Sequence, residues 1–137
     1  MDVFRKINGQ WVKCEGLEDF RPLHYARISK AYDKFISTGR ATVTVGGATF
    51  AMQIRDSDIS RMDGAIRYNE LEGVTEMYLT DADNVTHYGV SLADAKAVLA
   101  EMMRVAYGAH AAKQYARSQI DAAETVEEME AVTFGTV

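Results

Sequence analysis

The chain has 137 residues, of which 47% are hydrophobic and 26% charged, values typical of one ordinary globular domain. Its formal net charge of −5 argues against a general nucleic-acid binder, which would carry a basic stripe. No apolar run approaches the roughly 18 residues that span a bilayer, so we expect no membrane role. The first ten residues lack the apolar stretch of a signal peptide, and the lone Cys14 has no partner, which together favour a reducing cytoplasm.

Residues 2–14 predict a β-hairpin, because Asn8-Gly9 suits a type I′ turn, in which both central residues need positive φ. Apolar residues occur on both arms, and Trp11 is read as the anchor of this hairpin. An isolated hairpin is barely stable in water. This one therefore needs a neighbour, which is either the rest of the chain or another subunit.

The next segments predict a loop over 15–22 and an amphipathic helix over 23–38. Pro22 suits the first turn of that helix, and Gly39 suits the position just after its end. Residues 41–54 predict the clearest hairpin of the chain, with Gly46-Gly47 as its turn.

A helix is predicted over about 58–71, with Asp56 or Ser57 as its N-cap. Strands over 75–80 and 85–90 follow, joined by the polar turn "DADN". The next helix begins with the Ser-x-x-acid pattern of Ser91 and Asp94.

That last helix is predicted over about 92–123, with apolar residues spaced by threes and fours as in a coiled-coil seam. The seam is rich in alanine, which lets helices approach closely. Gly108 weakens the prediction, because a mid-helix glycine costs about 1 kcal/mol relative to alanine, and a helical hairpin stays open as an alternative. The seam and the first hairpin supply the predicted interface residues, which are Trp11, Leu99, Met102, Ala106, Ala109, Ala116 and Ile120.

A second capping box, formed by Thr125 and Glu128, starts a short terminal helix that folds back or contacts a neighbour. The predicted order is ββ-α-ββ-α-ββ-α-α. The fold class is therefore α+β, with small antiparallel hairpins, a long C-terminal helix and an N-terminal hairpin. We expect residues 1–30 to form an attachment segment and residues 31–137 to form one α+β domain.

The ionisable residues do not form a recognisable catalytic or metal-binding motif. His24 and His110 are isolated from other ligands, whereas His87 alternates along a strand near Asp81 and Asp83. A metal or acid–base role for His87 stays open beside that of a surface histidine. "DADN" lacks the glycine and the distal acid of an EF-hand loop, and "DSD" at 56–58 is explained by the preference of helix N-termini for aspartate. Cys14 has no nearby histidine that could activate it. Because none of these residues together forms an active site, we expect no enzyme activity, metal or cofactor.

Four stretches, taken in order, resemble a known family. "GRATVTVGGATF" carries a strand followed by Gly47, a small spacer and Phe50. "SDISRMDGAI" then resembles a Ser-Arg-x-x-Gly-Ala-Ile/Val segment of that family. "YLTDADNVTHYGVSLADAKAVL" resembles its strand turn and helix start, and "YARSQIDAAETVEEMEAV" resembles its ending. The chain departs from the family pattern in Tyr78, where tryptophan is usual, and in "SLAD", where a threonine-containing helix start is usual. These changes keep the packing types.

From Ala31 to Val132 the chain resembles a small domain of unknown function that recurs in the tail-fibre and other tail proteins of tailed bacteriophages. The resemblance implies no catalytic residues. It implies a structural component of a phage or prophage tail, located in the virion tail and made in the host cytoplasm. Its expected partners are other tail proteins and further copies of itself, as a trimer or hexamer.

Two other functions stay open. The chain could be a tail-fibre assembly chaperone, which binds a fibre with or without remaining in the virion. It could also be a small enzyme or ligand-binding protein, for which His87 and Asp83 would be the residues to test.

Overall fold

The computed structural model describes residues 2–135 of the chain and confirms the α+β class and the predicted order of elements. Met1 and residues 136–137, which the predicted segments 1–30 and 31–137 include, lie outside the described residues. The elements are β1 (Phe4–Ile7), β2 (Gln10–Lys13), α1 (Leu17–Thr38), β3 (Arg40–Val45), β4 (Ala48–Gln53), α2 (Asp56–Leu71), β5 (Glu76–Thr80), β6 (Thr86–Ser91), α3 (Leu92–Ala122) and α4 (Val126–Ala131).

The strands pair as three antiparallel hairpins, β1–β2, β3–β4 and β5–β6. Both predicted two-residue turns are confirmed, since φ is +50° at Asn8, +83° at Gly9, +57° at Gly46 and +83° at Gly47. Positive φ at both central residues defines the type I′ turn, whose twist matches that of the flanking strands.

Helix α1 begins at Leu17, so the loop predicted over 15–22 is wrong for its last six residues. Pro22 lies inside the helix instead of at its start. The earlier start is explained by Glu18 and Asp19, whose charges suit a helix N-terminus, and by the Asp19 carboxylate, which accepts the N–H groups of Glu15 and Gly16. The same two backbone hydrogen bonds are the main reason that the pKa of Asp19 lies below its ordinary value.

The predicted N-cap of α2 at Asp56 or Ser57 is also wrong, because the N-cap is Arg55. The Asp58 carboxylate accepts the backbone N–H of Arg55 at 3.1 Å and its Nε–H at 2.7 Å, which fixes the first turn one residue earlier. Gly39 directly follows α1 as predicted, and the reason is that a side chain would not fit there. A Cβ at that position would lie 2.5 Å from the carbonyl oxygen of Phe35.

The chain forms two compact units, each with its own core. We call residues 2–33 and 110–135 the terminal unit, and Lys34–Ala109 the central unit. This division differs from the single boundary that the sequence suggested at residue 30. Helices α1 and α3 each begin in one unit and end in the other.

The terminal unit folds the short helix α4 back onto its own core, which is one of the two outcomes predicted for it. Thr125 caps α4 by accepting the N–H of Glu128 at 3.1 Å, as the capping pattern predicts. Arg27 of α1 donates to the carbonyl oxygens of Met129 and Val132, at 3.2 and 2.8 Å. The buried core of this unit contains Ile28, Ala116, Ile120, Ala123, Met129 and Val132.

The central unit has the larger core. Its buried members come from β3, β4, the β4–α2 connection, α2, β5, β6 and the first half of α3. They are Ala41, Val43, Met52, Ile54, Met62, Ile66, Met77, Leu79, Val90, Ala95, Val98 and Met102. Met52, Met62, Met77 and Met102 are buried in this core, as predicted for packing methionines, whereas Met103 is exposed.

Candidate docking surfaces

The first hairpin, β1–β2, is exposed on both faces. Among residues 4–13 no side chain is buried, and Arg5 alone is half-buried. Trp11 is 69% exposed and Phe4 is 50% exposed. The second hairpin, β3–β4, differs, because its Ala41, Val43 and Met52 are buried in the central core. The first hairpin therefore presents large apolar side chains that the described part of the chain does not cover.

The strand register sorts the side chains of the first hairpin onto two faces. Lys6 pairs with Trp11 and Phe4 pairs with Lys13, so these four side chains share one face. Lys6 Nζ lies 5.8 Å from the centre of the Trp11 ring, within the range of a cation–π contact. The result is an exposed face that combines two aromatic rings with two lysines.

A second candidate is a cleft of about 590 Å³ in the central unit, which we call the β5 cleft. Every residue of β5 lines it, together with Met52 and Gln53 of β4. Helix α2 contributes Asp58, Arg61, Met62, Ala65, Tyr68 and Asn69, and α3 contributes Met102. Met52, Met62, Met77 and Met102 all line this cleft. Methionine side chains adapt to different apolar partners, so they suit a docking surface as well as a core.

Exposed tyrosines surround the same strand. Tyr68 and Tyr78, at the cleft, are 63% and 64% exposed, and Tyr88 on the neighbouring β6 is 80% exposed. The β5–β6 pairing shifts register between Met77 and Leu79, and Gly89 has a φ of +68° there. Such a β-bulge re-aims a side chain, and here the rings of Tyr78 and Tyr88 have centroids 6.2 Å apart. Exposed tyrosines are frequent anchors at protein interfaces.

The His87 side chain contacts Asp81, not the Asp83 that the sequence also placed near it. His87 Nε2 lies 2.7 Å from Asp81 Oδ2, and the His87 ring stacks on Phe50 at 3.8 Å between centroids. Asp83 pairs with Arg40 at 2.9 Å. An Asp–His pair can orient an imidazole for acid–base work, so the enzyme alternative stays open beside the prediction of no enzyme activity.

The same pair has a structural role in the "DADN" turn. Asp81 Oδ1 accepts the N–H groups of Asp83 and Val85, at 2.8 and 3.0 Å. The hydrogen bond to His87 is the main reason that the pKa of Asp81 lies below its ordinary value, and the two N–H groups lower it further.

The structure also shows the surroundings of other ionisable residues considered as candidates from the sequence. The Arg55 guanidinium bound to Asp58 holds the pKa of that carboxyl below its usual range. Burial lowers the pKa of His24, whose Nδ1 faces Arg27 at 3.2 Å. His110 meets the ring of Tyr32 edge-on in the terminal unit. Cys14 is buried and unpaired by any disulfide.

Most of the predicted interface residues lie inside the cores of the chain itself. Helix α3 is continuous through Gly108, and its predicted seam is its buried side. Met102, Ala109, Ala116 and Ile120 are at most 1% exposed, whereas Leu99 and Ala106 are half-buried and Trp11 is exposed. An interface role for these residues stays a prediction, and Trp11 is the one whose side chain is largely available to a partner.

Two further findings concern residues 2–135. No group of three or more His, Cys, Asp or Glu side chains in this range could hold a metal ion. None of the helices in the same range has both the length and the apolar character to cross a membrane.

The comparisons with known proteins identify a family. The family described as "Domain of unknown function (DUF4376)" matches residues 21–133, which is most of the chain and extends beyond the predicted 31–132 at both ends. No curated protein matches the chain. No solved structure matches it either.

Proposed function

The chain belongs to the DUF4376 family, and we propose that it is a structural component of a bacteriophage or prophage tail. In this proposal it is a fibre, baseplate or adaptor subunit that acts by protein–protein assembly. It carries out no chemical reaction there. Its place is the virion tail, next to other tail proteins.

The observation that carries the assembly role is the exposure of the first hairpin. A two-stranded hairpin is marginal in water unless a further surface covers it. Arg5 is half-buried against Asp19, but the other side chains of residues 4–13 are exposed within the described chain, and they include Phe4 and Trp11. A partner protein would supply the cover, and the aromatic rings would be the anchors of that contact.

The tail assignment rests on the resemblance of residues 31–132 to a domain found in phage tail proteins. In chain order, the four stretches cover β3 and part of β4, part of α2, most of the β5–β6 hairpin with the start of α3, and the end of α3 with α4. The resemblance supports a phage tail as the particle to which the chain belongs. The exposed hairpin supports a surface through which the chain would join it.

The test is incorporation into particles. Tailed particles produced with the wild-type chain are purified and analysed by mass spectrometry, beside particles produced with Trp11→Ser. We expect the wild-type chain in the tail fraction and a loss of at least tenfold for Trp11→Ser, as for an interface anchor. Tyr107→Ser is the matched control, because Tyr107 is 70% exposed and belongs to helix α3 and not to the hairpin strands.

The possible outcomes separate the functions. The chain could be required for tail assembly and yet be absent from the purified particles. That result would overturn the structural role and favour a fibre chaperone. Equal incorporation of the Trp11→Ser chain and the Tyr107→Ser chain would overturn the role of the hairpin. Circular dichroism of both purified variants confirms that they fold, which is expected because both side chains are exposed.

A further inference from the structure

The β5 cleft runs along a free strand edge. Side chains alternate between the two faces of a strand, so a cleft lined by all five consecutive residues of β5 is reached from both faces. A cleft along the edge of a strand is reached in this way. The lining contains no residue of β6, so the edge in question is the one opposite β6.

This edge has no strand partner among residues 2–135, since β5 belongs to a two-stranded sheet with β6. An unpaired edge presents a row of backbone N–H and C=O groups that can pair with another chain. Strand addition of this kind takes its affinity from main-chain hydrogen bonds and its specificity from alternate side chains.

A strand added to β5 needs different side chains on its two faces. Met77 and Leu79 are buried and face the methionine-lined side, whereas Glu76 and Tyr78 are exposed on the other face. A matching strand therefore alternates apolar residues with residues that suit a carboxylate and an aromatic ring.

Strand β2 of the first hairpin meets part of this requirement, because Val12 is apolar whereas Gln10 on the same face is polar. Val12 and Gln10 lie on one of its faces, and Trp11 and Lys13 lie on the other. All four side chains are exposed, and the outer edge of β2 has no strand partner within the described residues.

We propose that β2 of one copy pairs antiparallel with β5 of a second copy. The pairing places Lys13 opposite Glu76, Trp11 opposite Tyr78 and Val12 opposite Met77. It also places the polar Gln10 opposite Leu79. Directly opposed residues share a face, so this register gives one ion pair, one aromatic pair and one apolar contact. The basic end of β2 meets the acidic end of β5 only in the antiparallel direction.

This pairing rests on the proposed assembly role of the first hairpin and names its partner as a second copy of this chain. It joins two different surfaces, so every copy carries both a donor strand and an acceptor edge. Contacts between unlike surfaces build rings when the rotation closes and filaments when it does not. A trimer or hexamer would be a closed form of this contact.

The experiment is a charge exchange on the purified full-length chain, followed by light scattering coupled to size exclusion over a wide range of concentrations. We expect a mass above the 15.2 kDa of one chain that falls on dilution. Lys13→Glu and Glu76→Lys should each weaken self-association by roughly fivefold, and the double exchange should restore it. Lys30→Glu and Glu127→Lys, at exposed sites in the terminal unit, control for the change of net charge.

A second readout follows the contact directly. Trp11 is the single tryptophan of the chain, so its fluorescence reports on its own surroundings. We expect the emission to shift to shorter wavelength as concentration rises, and this shift to be lost in Glu76→Lys and regained in the double exchange.

A wild-type chain that stays monomeric at every concentration would overturn the self-pairing. So would an oligomer that both single exchanges leave unchanged, or one that the double exchange does not restore. These results concern the purified chain alone. Incorporation into particles would still test the assembly role, so failure of the self-pairing and failure of the proposed function can be told apart.

Discussion

At the scale of single residues, Asp81 holds the turn between β5 and β6 together through its carboxylate. Its side chain is 5% exposed and binds His87 through one oxygen and two backbone N–H groups through the other. The sequence placed His87 near two aspartates and could not choose between them. The choice depends on the turn, because Asp81 begins the turn and its carboxylate points into it, whereas Asp83 pairs with Arg40.

The lowered pKa of Asp81 predicts a dependence of stability on pH. A carboxyl whose pKa is lower in the folded chain stabilises the fold above its unfolded pKa of about 3.9, and this contribution is lost as pH falls through the folded pKa. Asp81→Asn should therefore be clearly less stable than wild type at neutral pH, and the difference should shrink in acid. Urea unfolding of both chains, near neutrality and near pH 3, measures this.

Asp83→Asn, two residues away at an exposed carboxylate, controls for the loss of one negative charge. A stability difference between wild type and Asp81→Asn that is the same at both pH values would contradict the account of Asp81.

At the scale of elements, the chain shows which signals can be read from a sequence. The turns were predictable because Asn-Gly and Gly-Gly dipeptides adopt positive φ at low cost, and α4 was predictable from Thr125 and its capping pattern. The start of α1 was not, because Pro22 usually marks a helix start and here lies inside the helix. The β5 cleft could not be predicted, since β4, α2, β5 and α3 meet there only after folding.

Helix α3 gives the prediction at this scale. Ala109 is 1% exposed, whereas Ala111 is exposed on the same helix. Ala109→Glu places an unpaired carboxylate in a closely packed site and should lower the free energy of unfolding by roughly 3 kcal/mol or more. Ala111→Glu should change it by about 0.5 kcal/mol or less. Urea unfolding of the two variants checks this, and equal small effects would show that the alanine seam is not a packed surface.

At the scale of the whole molecule, two features are left open to a partner. The first hairpin has apolar side chains without cover, and β5 has a strand edge without a partner in the described residues. Exposed apolar side chains and an unpaired strand edge both favour association with another chain. We take them as the surfaces through which the chain assembles.

The most direct test of this account is hydrogen exchange of the first hairpin, measured by mass spectrometry on the dilute chain and on the chain within purified tail particles. The backbone of β1 and β2 should exchange fast in the dilute chain and slowly in the particle, because the account assigns its cover to another chain. The β3–β4 hairpin is the internal control and should be protected in both states, since its side chains reach the central core. A first hairpin that is protected already in the dilute chain, or that stays unprotected in the particle, would contradict the assembly role.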